Sequence, residues 1–103
     1  GSEMCIRDRF EPGQSYPKHY HRAVTEVFVC TMGTISIRIG DDVHHLEPGQ
    51  TATAPPGVIH HTVNISDSTA EIFYVKTPPA MDDFVFVPEV QRSHGARKEV
   101  TQQ

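Results

Sequence analysis

Three histidines and one glutamate are the residues of this chain best suited to chemistry. His19 and His21 stand two positions apart, Glu26 follows shortly after, and His60 lies in a separate segment further on. Imidazole nitrogens and a carboxylate oxygen together suit a divalent transition metal: Fe(II), Mn(II), Ni(II), Cu(II) or Zn(II). On an extended segment, residues two apart point to one face, so both imidazoles of the pair can meet the same ion. A carboxylate inside an apolar interior is costly without a counter-charge, and a metal supplies one. Glu26 either ligates directly, which favours iron or manganese, or stands beside the metal as a proton acceptor, which favours copper. The set contains no thiolate, so a closed structural zinc site is not expected. At least one coordination position stays open, as catalysis requires.

The elements that must position these residues read as strands. Short runs rich in Val, Ile, Thr and Phe alternate with Gly, Pro and Asp punctuation. Strands are expected over 24–32, 34–39, 43–46, 51–54, 60–64, 71–76 and 84–87. Gly40, Asp41 and Asp42 supply a hairpin turn. Pro55, Pro56 and Gly57 fix the turn before His60, with Gly57 free to take a positive φ. Glu26 shares its strand parity with Val24 and Phe28, and Asn64 shares that of His60 and Thr62; a structural role is expected for Asn64. No ten-residue window shows a helical period. The expected fold is all-β, an antiparallel barrel or sandwich.

Composition narrows the function further. The chain has 103 residues, enough for one domain, with 13 acidic residues against 9 Lys and Arg and a net charge of −4. A mildly acidic chain lacks the clustered positive charge that nucleic acid or an anionic membrane surface would need. No apolar run approaches the ~18 residues of a membrane-spanning helix. Seven histidines are many for this length, but His44, His45, His61 and His94 fit neither half of the metal pattern and read as surface residues. Cys30 reads as a small core or interface residue, since no base is paired with it.

Two blocks of fixed spacing carry a family resemblance. The first runs Gly13, His19, His21, Glu26, Gly33; the second runs Gly49, Pro55, Gly57, His60, Asn64. Together they resemble both conserved motifs of the cupin superfamily, with a spacer from Gly33 to Gly49 similar to that of small microbial members. The resemblance implies a cupin jelly-roll β-barrel, the antiparallel double-stranded β-helix, over residues 10–87. It implies one metal per chain on His19, His21, Glu26 and His60, with copper or iron favoured over Mn, Ni and Zn. The expected function is a metal-dependent oxidoreductase that uses oxygen or peroxide. Its expected substrate is a carbohydrate, a polysaccharide such as cellulose included, or another plant-derived compound. Two alternatives stay open: a non-redox sugar or sugar-acid isomerase or lyase, and a small-molecule binding module without turnover.

The ends read differently. Gly1 and Ser2 look like the remnant of a cleaved tag, and residues 4–9 resemble the translation of a transposon end used in sequencing libraries. On that reading residues 1–9 are non-native, the gene is metagenomic, and the first strand is incomplete. Residues 88–103 form a polar C-terminal tail. A sheet edge left open by an incomplete first strand would be covered by a second copy, with the tail reaching over it, so a homodimer is expected.

Overall fold

The computed structural model describes residues 4–78, 83–87 and 97–102. They form ten strands in chain order: β1 (Met4–Phe10), β2 (Ser15–His21), β3 (Thr25–Met32), β4 (Ile35–Ile39) and β5 (Asp42–Leu46), then β6 (Thr51–Ala54), β7 (His60–Val63), β8 (Ala70–Thr77), β9 (Phe84–Phe86) and β10 (Arg97–Gln102). Two five-stranded sheets result, ordered β10-β1-β8-β3-β6 and β5-β4-β7-β2-β9, with every pairing antiparallel. This is the jelly-roll double-stranded β-helix, with no helix among the described residues.

Strand parity decides what enters the barrel. Ile35, Ile37 and Ile39 alternate on β4 and all are buried, while Arg38 between them is exposed. Along β8 the alternate positions Ala70, Ile72, Tyr74 and Lys76 are all buried, a run from apolar to polar that maps the interior from core to site. Phe10, Cys30, Ile35 and Ile72 pack in the apolar core. Each large side chain moved from water into such a core contributes about 1.5–3 kcal/mol.

The seven expected strands occur within a residue or so of their anticipated bounds; 51–54 matches β6 at both ends. The ends differ from expectation. Met4–Phe10 is a full strand flanked by β8 on one side and β10 on the other, so no edge is left open there. It sends Ile6, Asp8 and Phe10 inward, all buried. Arg97–Gln102, within the expected tail, is a strand paired with β1 in the same sheet. Residues 88–96, His94 among them, lie outside the described residues.

Asn64 acts as a fastener, as its position suggested. Its side chain is fully buried; Nδ2 donates to Phe10 O (3.0 Å) and Ser68 O (2.7 Å), and Oδ1 accepts from Ser66 N (2.9 Å). The carbonyl of the buried Phe10 is thereby met, as folded chains seldom leave such a group unpaired.

Gly33 and Gly57 both have positive φ, +70° and +83°. They differ in surroundings: a Cβ at Gly33 would sit 2.5 Å from the Thr69 carbonyl oxygen, whereas nothing lies within 4 Å of one at Gly57. Gly57→Ala should therefore cost only the left-handed backbone penalty, about 1–2 kcal/mol. Gly33→Ala adds an overpacking cost and should lose about 2–4 kcal/mol. Urea denaturation of both variants checks this; equal losses would mean that the Thr69 contact relaxes freely.

Candidate metal centre

β2 does not run straight into the site. It pairs with β7 as Tyr16↔Thr62 and then as His19↔His60, so a register shift falls between them at Pro17 and Lys18. A bulge inserts one extra residue and reverses which parity faces inward. Tyr16 before it and His19 and His21 after it consequently all reach the barrel interior. Proline suits this position, since it has no N–H to contribute to the ladder. Glu26 arrives from β3 with Val24 and Phe28 on its buried parity, as expected. His60 opens β7 directly after the turn of Pro55, Pro56 and Gly57, whose Gly57 N–H donates to His21 O (2.7 Å).

The structure thus gathers all four residues singled out in the sequence. Their ligand atoms lie within 4.8 Å of one another, and all four residues are buried. His19 Nε2 is 3.1 Å from His60 Nε2, while Glu26 Oε1 is 2.9 Å from His21 Nε2 and 3.2 Å from His60 Nε2. Ligands about 2.0–2.1 Å from one ion sit about 3 Å apart, so the spacing fits a shared metal.

The outer ring nitrogens strengthen that fit. His19 Nδ1 donates to Pro17 O (2.8 Å) and His60 Nδ1 to Val58 O (3.3 Å). A carbonyl only accepts, so each Nδ1 carries the proton and the neutral ring leaves Nε2 bare. Two bare nitrogens face each other at 3.1 Å, an arrangement that a cation between them relieves. His21 differs, because its Nδ1 donates to the carboxylate Asp83 Oδ1 (2.8 Å). Asp83 is itself held, with Oδ2 accepting from Ala23 N (3.2 Å).

Charge follows from these contacts. Burial, aided by the neighbouring His60, lowers the His19 pKa to about 3, so its lone pair is available at neutral pH. Burial alone would push the Glu26 carboxyl up, but the hydrogen bond from His21 and the adjacent His60 ring outweigh it and hold the group well below the usual carboxylate range. Burial likewise opposes a charge on His21, yet Glu26 and Asp83 raise its pKa overall. Metal binding at His21 Nε2 therefore displaces a proton that the metal-free protein shares with Glu26.

A cavity of about 290 Å³ adjoins the four donors and is lined also by Tyr16, Phe28, Thr62, Tyr74, Lys76 and Phe84. Asp83, Lys76 and the phenylalanines of β9 were not anticipated from the sequence. For Lys76 the one signal was the inward parity of β8, which continues from Tyr74. None of His44, His45 and His61 joins the cluster; His45 is exposed, and the other two are half-buried. Cys30 is a core residue whose thiol is pushed up by burial, as suits a residue without a base.

Comparison with known proteins agrees with this geometry. The profile of a family described as Cupin domain matches residues 7–76. Over 98 residues the chain is 31% identical to a mannose-1-phosphate guanylyltransferase of Sinorhizobium fredii, covering 90% of this chain and 19% of that protein. Over 72 residues it is 31% identical to germin-like protein subfamily 3 member 2 of Arabidopsis thaliana, covering 65% of this chain and 32% of the relative. The chain therefore spans well under half of either curated relative. The crystal structure of TT1209 from Thermus thermophilus superposes with a TM-score of 0.71 at 30% identity, over 76% of this chain and 75% of that one.

Asp83 acts on the metal position through His21, fixing its tautomer and orientation. Losing such a partner typically costs about 10–100-fold in metal affinity. Asp83→Asn, which keeps an acceptor but no charge, should fall near the lower figure and Asp83→Ala near the upper. Competition against a chromophoric chelator measures both; unchanged affinity in Asp83→Ala would remove Asp83 from the site.

Proposed function

This chain belongs to the cupin family, and on that premise we propose that it is a metal-dependent oxidoreductase using copper or iron with oxygen or peroxide. Its substrate on this reading is a carbohydrate or another plant-derived compound. The observation that carries the reading is the convergence of three Nε2 atoms and one carboxylate beside a cavity rather than inside a closed shell of ligands. A redox ion held there would supply one-electron chemistry toward oxygen or peroxide.

The remaining work falls to side chains of this chain. His19, His21 and His60 hold the ion, their outer nitrogens locked by Pro17 O, Asp83 and Val58 O. Glu26, ionised, completes the ligand set or receives a proton at its carboxylate. Phe28 and Phe84 wall the cavity and restrict water around the donors. Tyr16 and the 47% exposed Phe86, with ring centroids 6.4 Å apart, present aromatic faces beside His19 against which a sugar ring can lie.

The donor set also accommodates Mn, Ni or Zn, which keeps a non-redox isomerase or lyase as the second reading. There the ion would polarise a carbonyl instead.

Stripping the protein and reloading it with copper, iron, manganese, nickel and zinc in competition separates the two. Elemental analysis should find copper or iron at about one per chain, the count set by a single cluster of donors. Oxidised products should then appear only with oxygen or peroxide present. His19→Ala and His60→Ala should each lose both the metal and turnover. Preference for a redox-silent metal, with turnover independent of oxygen, would overturn the oxidoreductase reading in favour of the second. Tight ligand binding with no turnover under any metal would leave a binding module.

A further inference from the structure

The outer face of the sheet β10-β1-β8-β3-β6 is apolar at its centre. Val27 and Val29 on β3 stand opposite Val75 and Phe73 on β8, and Cys5 on β1 flanks Val75 from the other side. Their parity is opposite to that of the buried Ile6, Glu26, Phe28 and Tyr74, so their side chains point out of the barrel. Each is half-buried. Neither the core nor the metal centre uses them, since both lie on the other side of the sheet. An antiparallel sheet with one face toward water ordinarily carries polar residues on that face.

The surroundings of this patch decide what can cover it. At one end Arg7 and Arg9 both reach Glu71, at 3.7 and 3.3 Å, so charge there is answered within the chain. At the other end Thr25 faces Thr77, and along one side Thr53 and Thr51 face Val27 and Val29. A hydroxyl both donates and accepts, so a rim of threonines can pair with an identical rim. A twofold interface demands this, because each patch meets its own copy. The other sheet carries the exposed Arg38 on its outer face instead, opposite His61. With strands about 4.8 Å apart and about 3.3 Å per residue, five strands present roughly 500 Å² in projection. Side-chain relief makes the accessible area larger, near the ~800 Å² that each partner of a standard interface buries.

We propose that this face binds a second copy of the chain, sheet against sheet, with Val27, Val29, Phe73 and Val75 at the centre of the interface and threonines at its rim. The open side of β1 is already taken by β10, so the copies meet through faces and not by continuing a sheet there. Holding a metal is no part of this pairing. Metal-free and metal-loaded protein should pair alike, so the dimer and the metal-dependent function fail separately.

Size-exclusion chromatography with light scattering, on metal-free protein at micromolar concentration, should give twice the mass of one chain. Val29→Lys sets a charge in the middle of each patch. Bringing two such patches together should raise the dissociation constant about 100-fold or more. Val43→Lys, at an exposed position on β5 of the other sheet, should leave the dimer unchanged. Circular dichroism shows whether Val29→Lys folds. If it does not, Val27→Thr combined with Val75→Thr, which keeps branched strand formers, should weaken the dimer about tenfold. A monomeric wild type would overturn the proposal and leave the face to a different protein. So would a dimer that the Val29 and Val27/Val75 variants leave intact, or one that Val43→Lys breaks equally. A trimer or larger ring would overturn it too, since a self-complementary face closes at two.

Discussion

Between Tyr16 and His19 the pairing of β2 with β7 advances three residues on one strand and two on the other. The inward direction of His19 and His21 follows from that mismatch. In an unbroken strand, Tyr16 facing inward would put positions 18 and 20 inward as well, leaving both histidines on the outer surface. The bulge reverses the parity at a point where proline has no amide proton to lose. It also leaves Pro17 O where His19 Nδ1 can reach it. One irregularity therefore both aims the ligand and fixes its tautomer.

Once the rings face inward, their electrostatics become interdependent. A buried carboxylate such as Glu26 is tolerated because His21 donates to it, and His21 is tolerated as a cation because Asp83 flanks it on the other side. Desolvation is offset only while each partner is present; removing one leaves a buried charge uncompensated, typically a loss of about 3–5 kcal/mol. Among the described residues these groups adjoin a core that includes Phe10, Cys30, Ile35 and Ile72, with Phe28 and Tyr74 shared between core and cavity.

Much of this was legible in the sequence, for reasons that particular residues make clear. The alternation at Ile35, Ile37 and Ile39, and the turn residues Gly40 and Gly57, announce strands and their ends because strand period and positive φ leave direct marks on residue choice. The fixed spacing of His19, His21, Glu26 and His60 named the donors, and their convergence was the natural consequence. The reversal of parity between Tyr16 and His19 was not legible, since a bulge is a property of the pairing and not of one strand. Asp83 and Lys76 were missed for a related reason: each reaches the site only through the registers of β9 and β8, which local sequence does not encode. β1 and β10 were not read as strands because residues 4–9 resemble a transposon-end translation and residues 88–103 a polar tail; pairing with each other and, for β1, with β8 is what makes them strands.

β9 has a wider consequence. It is a three-residue edge strand, hydrogen-bonded to β2 alone among the described strands. Asp83, immediately before it, holds His21, while Phe84 and Phe86 pack edgewise or tilted against His19. The least supported strand of the barrel is thus tied to the most charged part of its interior. Docking of that edge and occupancy of the centre become linked equilibria, each favouring the other to the same degree. An edge that loosens gives up its hold on His21, and a His21 held by an ion gives the edge a firmer anchor. The rim of the barrel thereby becomes part of the ion's own binding constant.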